Sequence, residues 1–259
     1  MKKLIVANWK MNPESPEVAR ATFLGIRRAV LKLKKTDVVI CPPTLYFAPL
    51  AKLAAKKVFV GLQNVFWENT GSFTGETGAS MAVTSGAQYV IIGHSERRAL
   101  GETPELINKK LLAAFREGLN VILCIGEKEH DAQGQYLSFV KEQLASALAG
   151  IQKKYVENLI IAYEPIWAIG KNDYEAMKGN DMHEMLLYIR KVLTEMLGRE
   201  YADTIPVLYG GSVNAMNTSD IVGNGHVDGL LVGRQSLDPA QFKDILTIVD
   251  SFAVQNKHA

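Results

Sequence analysis

The stretch Leu159-Ile160-Ile161-Ala162-Tyr163-Glu164-Pro165-Ile166-Trp167-Ala168-Ile169-Gly170 places one carboxylate at the end of an apolar run and in front of another. Its first five residues are continuously apolar rather than alternating, the pattern of a strand covered on both faces. Seven more runs read the same way: Leu4 to Asn8, Val38 to Cys41, Val58 to Leu62, Tyr89 to Gly93, Val121 to Ile125, Val207 to Tyr209, and Gly229 to Val232. Chemically loaded residues sit just past their C-terminal ends. Asn8 and Lys10 follow the first, His94 and Glu96 the fourth, Gly210, Gly211 and Ser212 the seventh, and Gly233 the last. Helical patterns lie between them, among them Pro16 to Leu33, Pro104 to Arg116 and Asp181 to Leu197. Repeated strand–helix units build either a closed barrel or an open doubly wound sheet. Only the barrel brings all these strand ends to one rim, so the expected fold class is α/β, a (β/α)8 barrel. No linker divides the chain, and residues 1–259 read as one domain.

Composition narrows the function. A formal net charge of +2, with lysines and arginines scattered, leaves no nucleic-acid footprint. The small clusters Lys32, Lys34, Lys35 and Lys56-Lys57 read as solvated helix and loop ends. Apolar runs are too short to span a bilayer, and no signal-peptide core precedes a small-residue cleavage site. Cys41 and Cys124 both fall in strand-like segments, which reads as buried thiols rather than a disulfide framework. The chain reads as soluble and cytoplasmic, with no membrane partner. No histidine and cysteine set has metal-ligand spacing, so no metal is expected and a metal-dependent aldolase is disfavoured.

Each strand end suggests a task. Ser95 is placed to cap a short helix whose amides point back at the His94 imidazole, and a helix N-terminus disfavours positive charge, so a neutral ring is expected. His130, His183, His226 and His258 read as ordinary surface histidines. Glu164 precedes an apolar hexapeptide that is hard to explain in a βα loop unless it is a lid or an interface. A carboxylate stripped of water by a closing lid suits proton abstraction beside a carbonyl. The glycines of Gly210-Gly211-Ser212 and Gly233 let backbone amides approach a ligand closely, and loops after the last two barrel strands often hold phosphate. Lys10 supplies positive charge on the same rim.

Several motifs in order resemble the triosephosphate isomerase family over essentially the whole chain. They are Ala7-Asn8-Trp9-Lys10-Met11-Asn12, Gly93-His94-Ser95-Glu96-Arg97-Arg98, Ala162 to Gly170, and Tyr209-Gly210-Gly211-Ser212-Val213, with lesser matches at Gln63-Asn64, Phe73-Thr74-Gly75-Glu76 and Cys124-Ile125-Gly126-Glu127. The resemblance implies a cofactor-free TIM-barrel enzyme of glycolysis and gluconeogenesis. It would interconvert the triose phosphates dihydroxyacetone phosphate and D-glyceraldehyde 3-phosphate. Glu164 as base, neutral His94 as electrophile and a closing loop are the familiar division of labour of this family. The resemblance also gives Lys10 and Asn8 to the developing charge, and Glu96, Ser95 and Cys124 supporting places. It assigns the backbone amides at Gly170, Ser212 and Gly233 to the phosphate.

The segment from Asn64 to Ala79 resembles the loop with which the family dimerises, so Thr74, Gly75 and Glu76 are expected at a homodimer interface, with Thr74 beside the partner's site. Three departures stand out. The usual Gly-Thr-Gly-Lys of the lid is Gly170-Lys171-Asn172-Asp173-Tyr174 with a short insertion after it. The usual Gly-Gly after the last strand is Gly233-Arg234, which leaves open whether Arg234 turns away or adds a charge. The stretch from Arg98 to Glu102 is one residue short, with an expected effect on the ion pairs of Arg97 to Glu76 or Glu102. The alternatives are an isomerase of a slightly larger ketose phosphate and a non-catalytic phosphate-binding barrel.

Overall fold

The eight apolar runs become eight parallel strands: β1 (Lys3–Asn8), β2 (Thr36–Cys41), β3 (Val58–Leu62), β4 (Tyr89–Ile92), β5 (Asn120–Ile125), β6 (Leu159–Tyr163), β7 (Val207–Tyr209) and β8 (Gly229–Val232). In the computed structural model, which describes residues 2–168 and 177–255, each strand pairs with the next. β8 closes on β1 through Leu4↔Gly229, Ile5↔Leu230, Val6↔Leu231 and Ala7↔Val232. The barrel is therefore closed, not an open sheet. β6 and β8 are buried at every position, which accounts for their unbroken apolar runs.

Among the described residues the helices are α1 (Pro16–Val30), α2 (Thr44–Ala51), α3 (Ala79–Thr84), α4 (Ser95–Ala99), α5 (Pro104–Arg116), α6 (Gln135–Ala147), α7 (Gly179–Leu197), α8 (Arg199–Ala202), α9 (Ala215–Gly223) and α10 (Pro239–Gln255). Local signals set where several of them begin. Ser15 accepts the amide of Val18 with Pro16 at the first helical position of α1, and Thr103 does the same for Leu106 ahead of Pro104 in α5. Asn214 and Asn217 form a reciprocal capping box at the start of α9. The first long helix stops at Val30, short of the expected Leu33.

Alternate strand residues face opposite ways, giving two apolar layers. One lies between strands and helices and includes Ile5, Phe23, Ile40, Ile92, Leu123 and Phe242. The other fills the barrel with Val6, Val39, Cys41, Ile91, Ile122, Cys124, Ile160, Ala162, Leu208 and Leu231. Both cysteines are free and buried in this inner layer, as their strand positions suggested. Burial pushes the Cys41 thiol up, and burial with the nearby Glu164 carboxylate does the same for Cys124. No described helix is long and apolar enough to cross a membrane.

Candidate active site

The strand ends converge. One cavity of about 440 Å³ at the C-terminal rim is lined by Asn8, Lys10, His94, Glu96, Glu164, Gly210, Gly211, Ser212, Gly233 and Arg234. Residues from the ends of five strands, β1, β4, β6, β7 and β8, thus share one small volume.

Glu164 follows β6 directly and is buried. Its backbone is seated by its amide donating to the Ile125 carbonyl at 2.7 Å, and that approach is possible because Gly126 has no side chain. A Cβ there would lie 1.9 Å from the Glu164 carbonyl oxygen. Gly126 is in turn clasped by Gln143, which accepts from its amide at 2.8 Å and donates to its carbonyl at 3.1 Å. Gly210 clears the other side of Glu164, since a Cβ there would stand 2.8 Å from Glu164 Cγ.

His94 ends the turn after β4 and is itself the N-cap of α4, where Ser95 was expected. Its Nδ1 accepts the amide of Glu96 at 3.2 Å. A nitrogen that accepts carries no proton, so the ring proton sits on Nε2 and is given to Glu164 Oε1 at 3.0 Å. The other oxygen, Oε2, accepts the Ser95 amide at 3.3 Å. Ser95 therefore positions the glutamate through its backbone rather than capping the helix.

Helix position is not the only influence on this imidazole. Burial lowers its pKa, but the charge and hydrogen bond of Glu164, with Glu96 behind it, outweigh that and leave it raised above 6.5 despite Lys10. The reason is that Glu164 turns towards the ring. The amide contact at Nδ1 still opposes the second proton.

Lys10 leaves β1 in the left-handed region at φ 54, unusual for a side-chain-bearing residue. Asn8 Oδ1 accepts its amide at 3.0 Å and Gln63 Nε2 donates to its carbonyl at 2.8 Å. That pair of bonds holds the backbone where the ammonium reaches Glu96 Oε1 at 2.7 Å. Glu96 Oε2 lies 3.7 Å from His94 Nδ1, so one carboxylate stands beside both groups. Arg98 ties the same turn to β5 by donating to the carbonyls of Gly93 at 2.7 Å and Cys124 at 3.0 Å.

On the opposite wall, Asn217 of the α9 capping box donates to the Ser212 carbonyl at 2.9 Å and fixes the Gly210-Gly211-Ser212 loop. Gly233 leads into a short 3-10 turn, Arg234–Leu237. Thr74, Gly75 and Glu76 are exposed and away from the cavity of this chain. Gly170 and the altered lid residues 171–173 lie outside the described residues. Among the described residues no group of three or more histidine, cysteine or acidic side chains could hold a metal.

The triosephosphate isomerase family model matches residues 3–249. The chain belongs to the triosephosphate isomerase family. It is 41% identical over 252 residues to the triosephosphate isomerase of Dictyoglomus thermophilum, covering 95% of this chain and 98% of that one. It is 40% identical over 242 residues to that of Coprinopsis cinerea, with 92% and 94% covered. With that of Dehalococcoides mccartyi it shares 39% identity over 262 residues, covering both chains completely.

As a member of this family the chain keeps the Arg97 to Glu102 ion pair, at 3.1 Å, although the intervening turn is short. Glu102 also pairs with the buried Lys110, which donates to Asn64 at 2.8 Å and so anchors the loop that follows β3. Glu127 enters from sequence only as the last residue of the Cys124-Ile125-Gly126-Glu127 match, with no role assigned. It is buried past the end of β5 and accepts from the Tyr163 hydroxyl and the Trp167 indole, each at 2.8 Å. It thereby grips the first turn of the segment after Glu164. The strand-end rule applied to Val121-Ile122-Leu123-Cys124-Ile125-Gly126-Glu127 is the signal that finds it.

Proposed function

We propose that this protein interconverts dihydroxyacetone phosphate and D-glyceraldehyde 3-phosphate, with Glu164 moving the proton between neighbouring carbons. The observation that carries the reading is the contact of Glu164 with His94 Nε2 in a cavity shared with Lys10. A substrate oxygen competes for the Nε2 proton that Glu164 now accepts. Its arrival frees Oε1 to face a carbon-bound hydrogen. The Nε2–H then stabilises the enediolate oxygen, with Lys10 and Asn8 adding positive charge and a hydrogen bond. Backbone amides at Gly170, Ser212 and Gly233, and at Arg234, are assigned to the phosphate. Ser95, Glu96 and Cys124 hold the reacting groups in place.

We also assign the whole chain, residues 1–259, to one barrel domain acting as a homodimer. Support comes from exposed apolar side chains that follow β1, β2 and β3 in the chain: Met11, Leu45, Phe73 and Met81 are 95%, 81%, 43% and 47% exposed. Thr74, Gly75 and Glu76 then meet the partner. A cytoplasmic location suits two unpaired thiols.

The test is kcat/KM of the metal-free protein for D-glyceraldehyde 3-phosphate in a coupled assay, run beside sedimentation. Turnover approaching about 10⁸ M⁻¹s⁻¹ is expected. Rates several decades lower, with a four-carbon ketose phosphate preferred, would reassign the substrate. An active monomer would remove the dimer.

A further inference from the structure

Arg234 stands at the rim of the site cavity, exposed, on the 3-10 turn that begins after Gly233. Among the described residues its guanidinium has neither an ion pair nor a hydrogen bond. That is unusual beside the other charged side chains of the cavity wall. Lys10 is neutralised by Glu96 at 2.7 Å, and Glu164 is held by His94 at 3.0 Å. With neutral His94, the described lining carries Lys10 and Arg234 against Glu96 and Glu164 and is electrically balanced. Without Arg234 it would be net negative while receiving a phosphate dianion. Gly233 borders both cations, since its Cβ position is 3.5 Å from Lys10 Cε and Arg234 is the next residue in the chain.

We propose that the Arg234 side chain folds over the cavity mouth and pairs with the phosphate dianion, making it a determinant of anion affinity in this chain. This rests on the phosphate-binding reading of the site and goes beyond it by assigning a charged, side-chain contact where backbone amides alone were assigned. A planar guanidinium offers two parallel donors to phosphate oxygens, and among the described residues no other group engages it. The same contact serves free and esterified phosphate, so inorganic phosphate competes with substrate at this site.

Calorimetric titration of the intact protein with inorganic phosphate, and separately with glycerol 3-phosphate, tests it in wild type, Arg234→Gly and Arg234→Gln. Both substitutions are expected to weaken both ligands about three- to tenfold and to flatten the dependence of log Kd on log salt, as loss of a solvent-exposed charge contact does. Arg234→Lys should recover part of the affinity. Unchanged Kd and salt slope in both variants overturn the proposal. Preferential loss of glycerol 3-phosphate over inorganic phosphate would point to the glycerol moiety and overturn it too. Wild-type turnover of D-glyceraldehyde 3-phosphate is measured in parallel. Absent turnover with Arg234-dependent phosphate affinity removes the isomerase reading alone, whereas normal turnover with indifferent Arg234 removes the arginine contact alone.

Discussion

Gly210→Ala adds one methyl group beside the reacting carboxylate and nothing else. Its Cβ would sit 2.8 Å from Glu164 Cγ, while the next neighbours, on Leu231, are at 3.4 and 3.5 Å and close to ordinary contact. Carbon atoms prefer about 3.5–4.0 Å, so Glu164 must withdraw by roughly 1 Å. A misplacement of that size at a reacting group costs on the order of 10²-fold in rate. The atoms met are side-chain atoms, so the backbone register of β7 is untouched and the loss should appear in kcat. The assay is turnover of D-glyceraldehyde 3-phosphate, with a thermal melt by circular dichroism and phosphoglycolate titration as controls for folding and pocket. A kcat within about threefold of wild type, in a protein shown to be folded, would refute the argument that Gly210 exists to seat Glu164.

Glu164→Ala should cost about 10²–10⁴-fold in kcat with an unchanged circular dichroism spectrum, and near-normal turnover would sink its assignment as the base. Glu164→Gln removes the largest group holding His94 above 6.5, so the imidazole should titrate at lower pH by proton NMR. An unmoved or rising value contradicts the contact. The same linkage means the pair stabilises the fold fully below about pH 6.5 and loses that contribution as pH climbs through the raised value, so Glu164→Gln should flatten this part of the Tm profile. Asp250 is pushed up by burial, but amide bonds from Lys34 and Lys35 at 2.8 Å each and the Thr36 hydroxyl at 2.9 Å outweigh that and depress its pKa. Its stabilisation is present above about pH 3.9 and fades as pH falls through the depressed value. Asp250→Ala should therefore cost about 2–3 kcal/mol near neutral pH, lowering Tm by roughly 5–10 °C, a loss that shrinks in acid.

The strands were legible because barrel burial makes each one a continuous apolar run. β3, β6, β7 and β8 begin and end where their sequences say. β2 and β5 start earlier, at Thr36 and Asn120, because their polar first residues still pair with neighbours, as in Lys3↔Thr36 and Tyr89↔Asn120. Closure decides that pairing, and hydropathy has no access to it. α2 forms with Pro49 inside it, although proline is disfavoured in helix interiors. The rim chemistry was legible because a strand end is a definite place in this fold. What stayed hidden is what depends on side-chain direction. A histidine capping its own helix, a glutamate bound to that histidine, and a glycine whose function is to leave room have no one-dimensional signature. Glu127 stands in a matched motif, but its role as acceptor for Tyr163 and Trp167 depends on where those two side chains point.

The two thiols sealed inside the barrel have a consequence for experiment. Cys41 and Cys124 have no solvent contact, and burial holds each in the unreactive protonated form. An alkylating reagent can reach them only when the eight-stranded cylinder opens. Under conditions where reclosing outruns alkylation, the labelling rate reports the population of that opened form, and with excess reagent it reports the opening rate itself. The native sequence thus contains its own clock for loss of the barrel, readable by mass without adding a single probe.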